Sequence, residues 1–421
     1  MENLGHSDPP DTNHESPNPD DIASAVLQRF AKLPANCKPR IASENGQKEW
    51  VPLAGIVAHD TTVPPPNLYC ISLATGMKCS PSAHLLSSAG TVLHDSHAEV
   101  LAIRAFNRHL LTQCLSLLTS QPLTSPVLIE RSPRSSPDSP PFHIRPSINF
   151  YMYTSTCPCG DASMDLLISR TPDSTPWSNP PSSSSTTTPS SPISSETAAT
   201  TLLGRGHFSL LGLVRRKPSR PDAPPTLSKS CSDKLALKQC LSLLSSLTAL
   251  LVDPGNVYLH ALIMPHSEIH AAGVERAWGG AGRMKPLMGW KDGEYEFRPF
   301  EIWASGVEFE FVREEGAKAS EKACVVYGEE REVVINGVLQ GRKRTDPRGA
   351  SGVSRRRMWA LARELAVQLG DEGIFTALEG GNYGRVKDVD LLASRAAAKR
   401  HVTQHGLPGW APNSVDRDWS L

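Results

Sequence analysis

Apolar positions change their period several times along the chain, and each change predicts an element. Ala25, Val26, Phe30 and Leu33 recur at helical spacing, predicting a helix over about 22–33. Two apolar runs at 50–58 and 68–73, separated by a Pro-rich turn, predict short strands. From His97 the period becomes helical, with Val100, Ile103, Phe106, Leu110, Cys114 and Leu117 on one side. The continuous run 148–153, Ile-Asn-Phe-Tyr-Met-Tyr, predicts a buried strand. Further strands are expected at about 257–263, 308–312, 324–327 and 332–335, and helices at about 232–251, 355–369 and 391–404. Strands interleaved with helices predict an α/β fold.

Composition sets limits on how much of the chain packs. Of 421 residues, 39% are hydrophobic, below the roughly 45–50% of an ordinary domain. Ser, Thr and Pro fill 23 of the 30 positions in 171–200, too little apolar surface to offset the entropy of ordering, so this stretch reads as a disordered insertion. A second Pro/Ser insertion is expected at about 119–146, and residues 1–20 read as a disordered tail before one domain over 21–421. Net charge is zero, but residues 1–21 hold six acids and no Lys or Arg, so the remainder is +6. A histone-like polycation is excluded; nucleic-acid binding is not. No apolar run reaches the ~18 residues that span a bilayer. The acidic, Pro-rich start does not resemble a signal or transit peptide, and nine cysteines are an odd number. An intracellular protein is expected, in cytoplasm or nucleus and not secreted, with some thiols serving as metal ligands.

Three clusters carry chemistry. His97-Ala98-Glu99 opens the periodic helix, Cys157-Pro158-Cys159-Gly160 follows the strand 148–153, and Ser230-Cys231-Ser232-Asp233-Lys234 opens another helix. One His and two Cys suit a catalytic Zn²⁺ site with three protein ligands and an open position. A cysteine at a helix start has its thiolate favoured by the dipole. Glu99, two residues after His97, can act as general acid/base without ligating. Zinc nucleobase deaminases carry H-x-E followed by P-C-x-x-C. His-Ala-Glu and Pro158-Cys159 match, but Ala162 stands where the second cysteine would be. The third ligand must come from elsewhere, and Cys231 is the candidate. Cys157 competes with Cys159; the Pro-Cys order favours Cys159.

With Gly76-Met77-Lys78-Cys79 added, these segments resemble the eukaryotic adenosine-to-inosine RNA deaminases, in which PCGD and SCSDK supply the two cysteines on separate elements. The resemblance extends through Ile335-Asn336-Gly337, Ser354-Arg355, Tyr383-Gly384-Arg385-Val386-Lys387 and Gly406-Leu407-Pro408-Gly409-Trp410, covering about 22–421. It implies a cytidine-deaminase-like fold, a mixed sheet flanked by helices, elaborated by a large C-terminal extension. It also implies zinc held by His97, Cys159 and Cys231, with Glu99 catalytic and Asp95 behind the ligands. The family's buried inositol hexakisphosphate would fall to Arg104, Lys234, Arg355, Tyr383, Lys387, Lys399 and Trp410. Leu237 stands where some members have Arg, and His94 where some have Asn. Only ~50 residues precede the first strand and a basic Arg215-Arg216-Lys217 segment precedes SCSDK, which favours the branch acting on tRNA, as a monomer, at position 37 of alanine tRNA. Arg215, Arg216, Lys217 and Lys78 are then candidate RNA contacts, as are the runs 342–344 and 355–357. The alternatives are deamination of other structured or double-stranded RNA, a catalytically inactive zinc-containing RNA-binding module, and a free-nucleoside deaminase.

Overall fold

A computed structural model of the chain describes residues 16–42, 46–65, 67–119, 121, 126–134, 136, 138–171, 202–204, 210–217, 223–224, 226–413 and 415–421. The expected insertion at 171–200 and most of the expected tail lie outside them. At its centre is an eight-stranded sheet ordered Glu301–Ser305, Leu259–Pro265, Ile148–Thr154, Leu53–Asp60, Leu68–Thr75, Ala323–Tyr327, Glu330–Ile335, Val338–Leu339. Leu259–Pro265 pairs in parallel with both neighbours, and the other pairs are antiparallel. The sheet is therefore mixed, as expected.

Strand Leu53–Asp60 is buried along its whole length because both faces of the sheet are covered. Its side chains alternate between two cores. Ala54, Ile56 and Ala58 join a large core with Phe106 and Leu110 of the 22-residue helix Ala98–Thr119. Leu53 and Val57 face the other way, onto Val26 and Phe30 of helix Pro19–Ala31 and onto Phe309 and Phe311. Phe30 meets Phe309 edge-on at 4.9 Å between ring centroids. The helices Arg355–Leu369 and Ala393–His405 form where the 3.6-residue period placed them.

Four expectations are corrected. The first helix begins at Pro19 on the Asn18 cap, so the tail ends earlier than residue 20. Residues 308–312 form no strand; Phe309 and Phe311 are buried from a loop, and packing rather than pairing explains that run. The helix expected over 232–251 breaks after Cys231–Leu241 at Ser242, whose φ of 57° ends it, and resumes as Ser246–Ala249. Within 119–146, Ile129–Arg131 and Phe142–Ile144 pair antiparallel and bury Ile129, Phe142 and Ile144 in the large core. Among the described residues no helix is long and apolar enough to cross a membrane.

Candidate active site

His97 ends the short strand Asp95–His97, which pairs with Met77–Cys79, and the long helix starts at the next residue. The Ala98 amide donates to the Gly76 carbonyl at 2.9 Å. Gly76 has φ +142°, and a Cβ there would lie 2.2 Å from the Ser96 carbonyl oxygen, so the approach that sets His97 needs glycine. Glu99 sits in the first turn of that helix and is 5% exposed. Burial and the neighbouring Cys159 hold its carboxyl above the ordinary range, against His97 and Lys217, so it can carry a proton.

Cys159 follows the end of strand Ile148–Thr154. Gly160 takes φ +115°, and a Cβ there would lie 2.1 Å from the Ser230 Oγ. Across that contact the Ser232 amide donates to the Cys159 carbonyl at 3.0 Å, and the Ser232 hydroxyl to the Pro158 carbonyl at 2.9 Å. Ser230 caps helix Cys231–Leu241 by accepting from the Asp233 amide, placing Cys231 at its first position. The two cysteine motifs, 72 residues apart, are thus locked backbone to backbone.

The ligating atoms of His97, Cys159 and Cys231 lie within 4.8 Å of one another. Cys159 Sγ is 3.7 Å from His97 Nδ1. A tetrahedral zinc with about 2.3 Å to sulfur and 2.05 Å to nitrogen holds such a pair about 3.6 Å apart, so the three residues fit that metal. The hydrogen bond from Cys231, with the Lys217 and His97 charges, overcomes burial and keeps Cys159 well below the usual thiol range. Cys157 is not among the converging ligand atoms: its thiol is pushed up by burial and then by Glu268, Glu99 and Cys159, and its amide donates to Glu268 at 2.8 Å. Asp95 also lies near Cys79 and His97, but its oxygens are occupied by lysines.

Those lysines correct the reading of the 215–217 segment. Lys217 is 4% exposed; its ammonium donates to Asp95 at 2.9 and 3.1 Å and to the Cys231 Sγ at 3.2 Å. Arg215 is 1% exposed, and its amide donates to Asp233 at 2.9 Å. Neither side chain can reach a phosphate on the surface. Arg215–Arg216 is a strand paired with Leu202–Leu203, with Arg216 half-buried. Asp95 also accepts from Lys234, so a charged chain runs from Cys231 through Lys217 and Asp95 to Lys234. Lys78 is exposed on the strand beside Ser96, in a groove of about 170 Å³ with His84, Lys322 and Arg344.

Beyond Lys234 lies a crowd of cations. Arg355 and Lys387 lie over the Tyr383 ring at 5.6 and 5.9 Å, and Lys229 over Trp410 at 5.4 Å. Arg104 donates to the Val353 carbonyl at 2.7 Å. Lys399 is the most exposed of the predicted set. Burial and the charges of Arg355 and Arg417 bring Lys387 down to about 8, and burial with Arg395 and Lys399 brings Lys238 well below the lysine range. Lys229, Lys238, Arg395 and Arg417 escape notice in the sequence. One signal was legible: Lys234 with Lys238, and Arg395 with Lys399, are like-charged pairs four apart on a helix, unfavourable without an anion. Leu237 packs in the large core, and His94 bonds Asp416 at 2.8 Å.

A mixed sheet flanked by helices, with one His and two Cys converging beside a buried carboxyl, defines the deaminase class of hydrolytic enzymes. Residues 72–414 match the adenosine-deaminase (editase) domain, and the chain belongs to that family, whose members deaminate adenosine. It is 35% identical over 403 residues to tRNA-specific adenosine deaminase 1 of Schizosaccharomyces pombe, covering 93% of this chain and 94% of that protein. To the Saccharomyces cerevisiae protein of the same name it is 33% identical over 251 residues, 59% of each. Similarity to the double-stranded RNA-specific editase Adar of Drosophila melanogaster is 26% over 268 residues, 61% of this chain and 34% of that one.

Proposed function

We propose that this enzyme is a zinc-dependent deaminase that converts adenosine to inosine in tRNA, at position 37 beside the anticodon of alanine tRNA. The observation that carries the chemistry is the convergence of His97, Cys159 and Cys231 on one point with Glu99 buried beside it. Length-wide similarity to a tRNA-specific deaminase supports the substrate class. Zinc held by these three residues supplies Lewis-acid activation of water as the nucleophile near neutral pH. Glu99 takes the proton that water loses on attacking C6 of adenine and gives it to N1; it then moves the proton of the new C6 hydroxyl to the amino group, which leaves as ammonia as the C6–N bond breaks and the C6 carbonyl forms. Water is consumed and ammonia released, with no redox step. The adenosine must leave its stack to reach Glu99, which costs less in a loop than in a duplex.

The cations around Lys234, Lys387 and Arg395 are too crowded to stand unneutralised, and they suit a buried inositol hexakisphosphate. Arg104, Lys234, Arg355, Lys387 and Lys399 would hold its phosphates, joined by Lys229, Lys238, Arg395 and Arg417, with Tyr383 and Trp410 as walls. We read the protein as acting as a single chain on RNA in cytoplasm or nucleus. The test is inosine mapping after incubation with alanine tRNA, duplex RNA and free adenosine. Conversion confined to the tRNA is the expected result; conversion of free adenosine or of the duplex alone overturns the substrate assignment.

A further inference from the structure

Between Arg342 and Arg357 the chain carries seven Lys or Arg and a single acid, Asp346. In the fold Arg348, at the end of the loop that carries the 342–344 run, lies beside Arg356 and Arg357 of the second run. A Cβ on Gly349 would lie 2.9 Å from the Arg342 Cβ and 3.2 Å from the Lys343 carbonyl, so the 342–349 loop folds back on itself. Beside it Pro347, Arg348, Arg356 and Arg357 line a cleft of about 170 Å³.

Internal partners do not account for this charge. Asp346 reaches Arg348 at 3.2 Å and Arg342 at 3.6 Å, and Arg355 turns inward to Asp416 at 3.4 Å. Arg356 donates to the Ser420 carbonyl at 2.8 Å and lies over the Trp419 ring. Neither Arg356 nor Arg357 forms an ion pair among the described residues. Both sit in helix Arg355–Leu369, whose first turn holds no acid. That end of a helix is positive and disfavours cations, and among the described residues no carboxylate pairs with Arg356 or Arg357 to offset it.

The cleft also belongs to a longer surface. Arg344 contacts His84, and both line the groove that holds Lys78 and Ser96. Ser96 immediately precedes His97. Lys78, Lys322 and Arg344 therefore line a groove beside the strand that ends in His97, and the 342–349 loop that carries Arg344 also carries Arg348 of the cleft.

We propose that Arg348, Arg356 and Arg357 form a phosphate subsite for the backbone of the substrate RNA beyond the nucleotides at the reacting centre. The proposal rests on the RNA-substrate reading above. Guanidinium groups pair with phosphate through two parallel N–H bonds, and such contacts position nucleic acid without reading its sequence. An RNA strand entering along Lys78 and Arg344 is the anion whose path leads to this cleft.

The test is RNA binding by the double variant Arg348→Ala/Arg357→Ala, with Arg348→Lys/Arg357→Lys as the charge-keeping control. Both side chains are exposed, so melting temperature and metal content should stay at wild type. Unmodified tRNA is titrated between about 50 and 200 mM salt. Two lost phosphate contacts lower the slope of log affinity against log salt by about 1.4–1.8 and weaken binding about tenfold or more at low salt. The lysine pair should restore most of the slope. A folded alanine variant with wild-type slope and affinity overturns the subsite. If the wild-type protein neither binds nor deaminates tRNA, the tRNA reading fails separately; the same titration on duplex RNA then decides the cleft, and unchanged affinity there overturns it.

Discussion

At the scale of single residues, Glu99 separates an enzyme from a binding module. Glu99→Ala removes the proton carrier and no metal ligand. Inosine formation should fall at least 10²–10⁴-fold while metal content, read by atomic emission, persists. The two neighbouring cysteines should part company: Cys159→Ser loses the metal, and Cys157→Ser keeps it, because the Cys159 Sγ converges with His97 and Cys231 and the Cys157 sulfur is not in that group. Lys217 offers the sharpest contrast between surface and interior roles. Lys217→Ala leaves Asp95 short of a buried partner and removes the donor to the Cys231 sulfur. Breaking such a pair costs about 3–5 kcal/mol, so denaturant unfolding should show a large loss of stability. An RNA-contacting lysine would instead weaken binding and leave the midpoint where it was.

At the scale of elements, helix Cys231–Leu241 does two jobs at once. Its first residue offers a sulfur to the candidate metal site, and Lys234 and Lys238, one turn apart, belong to the cationic cluster. Its start is held by Ser230, whose hydroxyl donates to Asp233 at 2.6 Å and accepts the Asp233 amide. Helix Pro19–Ala31 covers the other sheet face, packing Val26 and Phe30 on it and tying Arg29 to the Cys70 and Gly328 carbonyls. Phe30→Ala should cost about 3–5 kcal/mol, because Phe30 is 1% exposed against Phe309 and Phe311. Calorimetry of the intact chain measures this, and metal content of the surviving folded fraction should be unchanged. A variant that melts like wild type would show that this face is not a true core.

At the scale of the molecule, the C-terminal extension and the deaminase sheet are joined through charge. Lys387 has its folded pKa lowered to about 8 from an ordinary 10.5 by burial and by Arg355 and Arg417. Without an anion the unfolded chain then binds more protons between about pH 8 and 10.5, so stability rises with pH across that window. A bound polyanion favours the charged lysine, raises its pKa and removes the rise. Melting curves from pH 7 to about 9.5, with and without added inositol hexakisphosphate, should therefore differ in slope as well as level. Saturation at about 100 times Kd adds about 2.7 kcal/mol. An anion-free protein whose melting temperature is flat or falls over this range contradicts the pocket's charge state.

Much of this protein is legible in one dimension because some of its physics is local. Period 3.6 after His97 marks helix Ala98–Thr119, and continuous apolar runs mark the central strands. Spacing and residue type alone select His97, Glu99, Cys159 and Cys231, since a helix start and a Pro-Cys turn are short-range features. What the sequence could not decide are matters of distance along the chain. Lys217 reads as surface charge until the fold brings Asp95, 122 residues away, against it. Phe309 and Phe311 read as a strand because a buried loop and a buried strand share the same apolar signature; only the covering helix Pro19–Ala31 tells them apart. The cationic cluster draws Lys229, Lys238, Arg395 and Arg417 from separate segments, and Arg348 of a loop meets Arg356 and Arg357 of a helix start in one cleft. Local periodicity is set by neighbours a few residues apart. Burial and charge pairing are set by whichever segments the sheet order brings together.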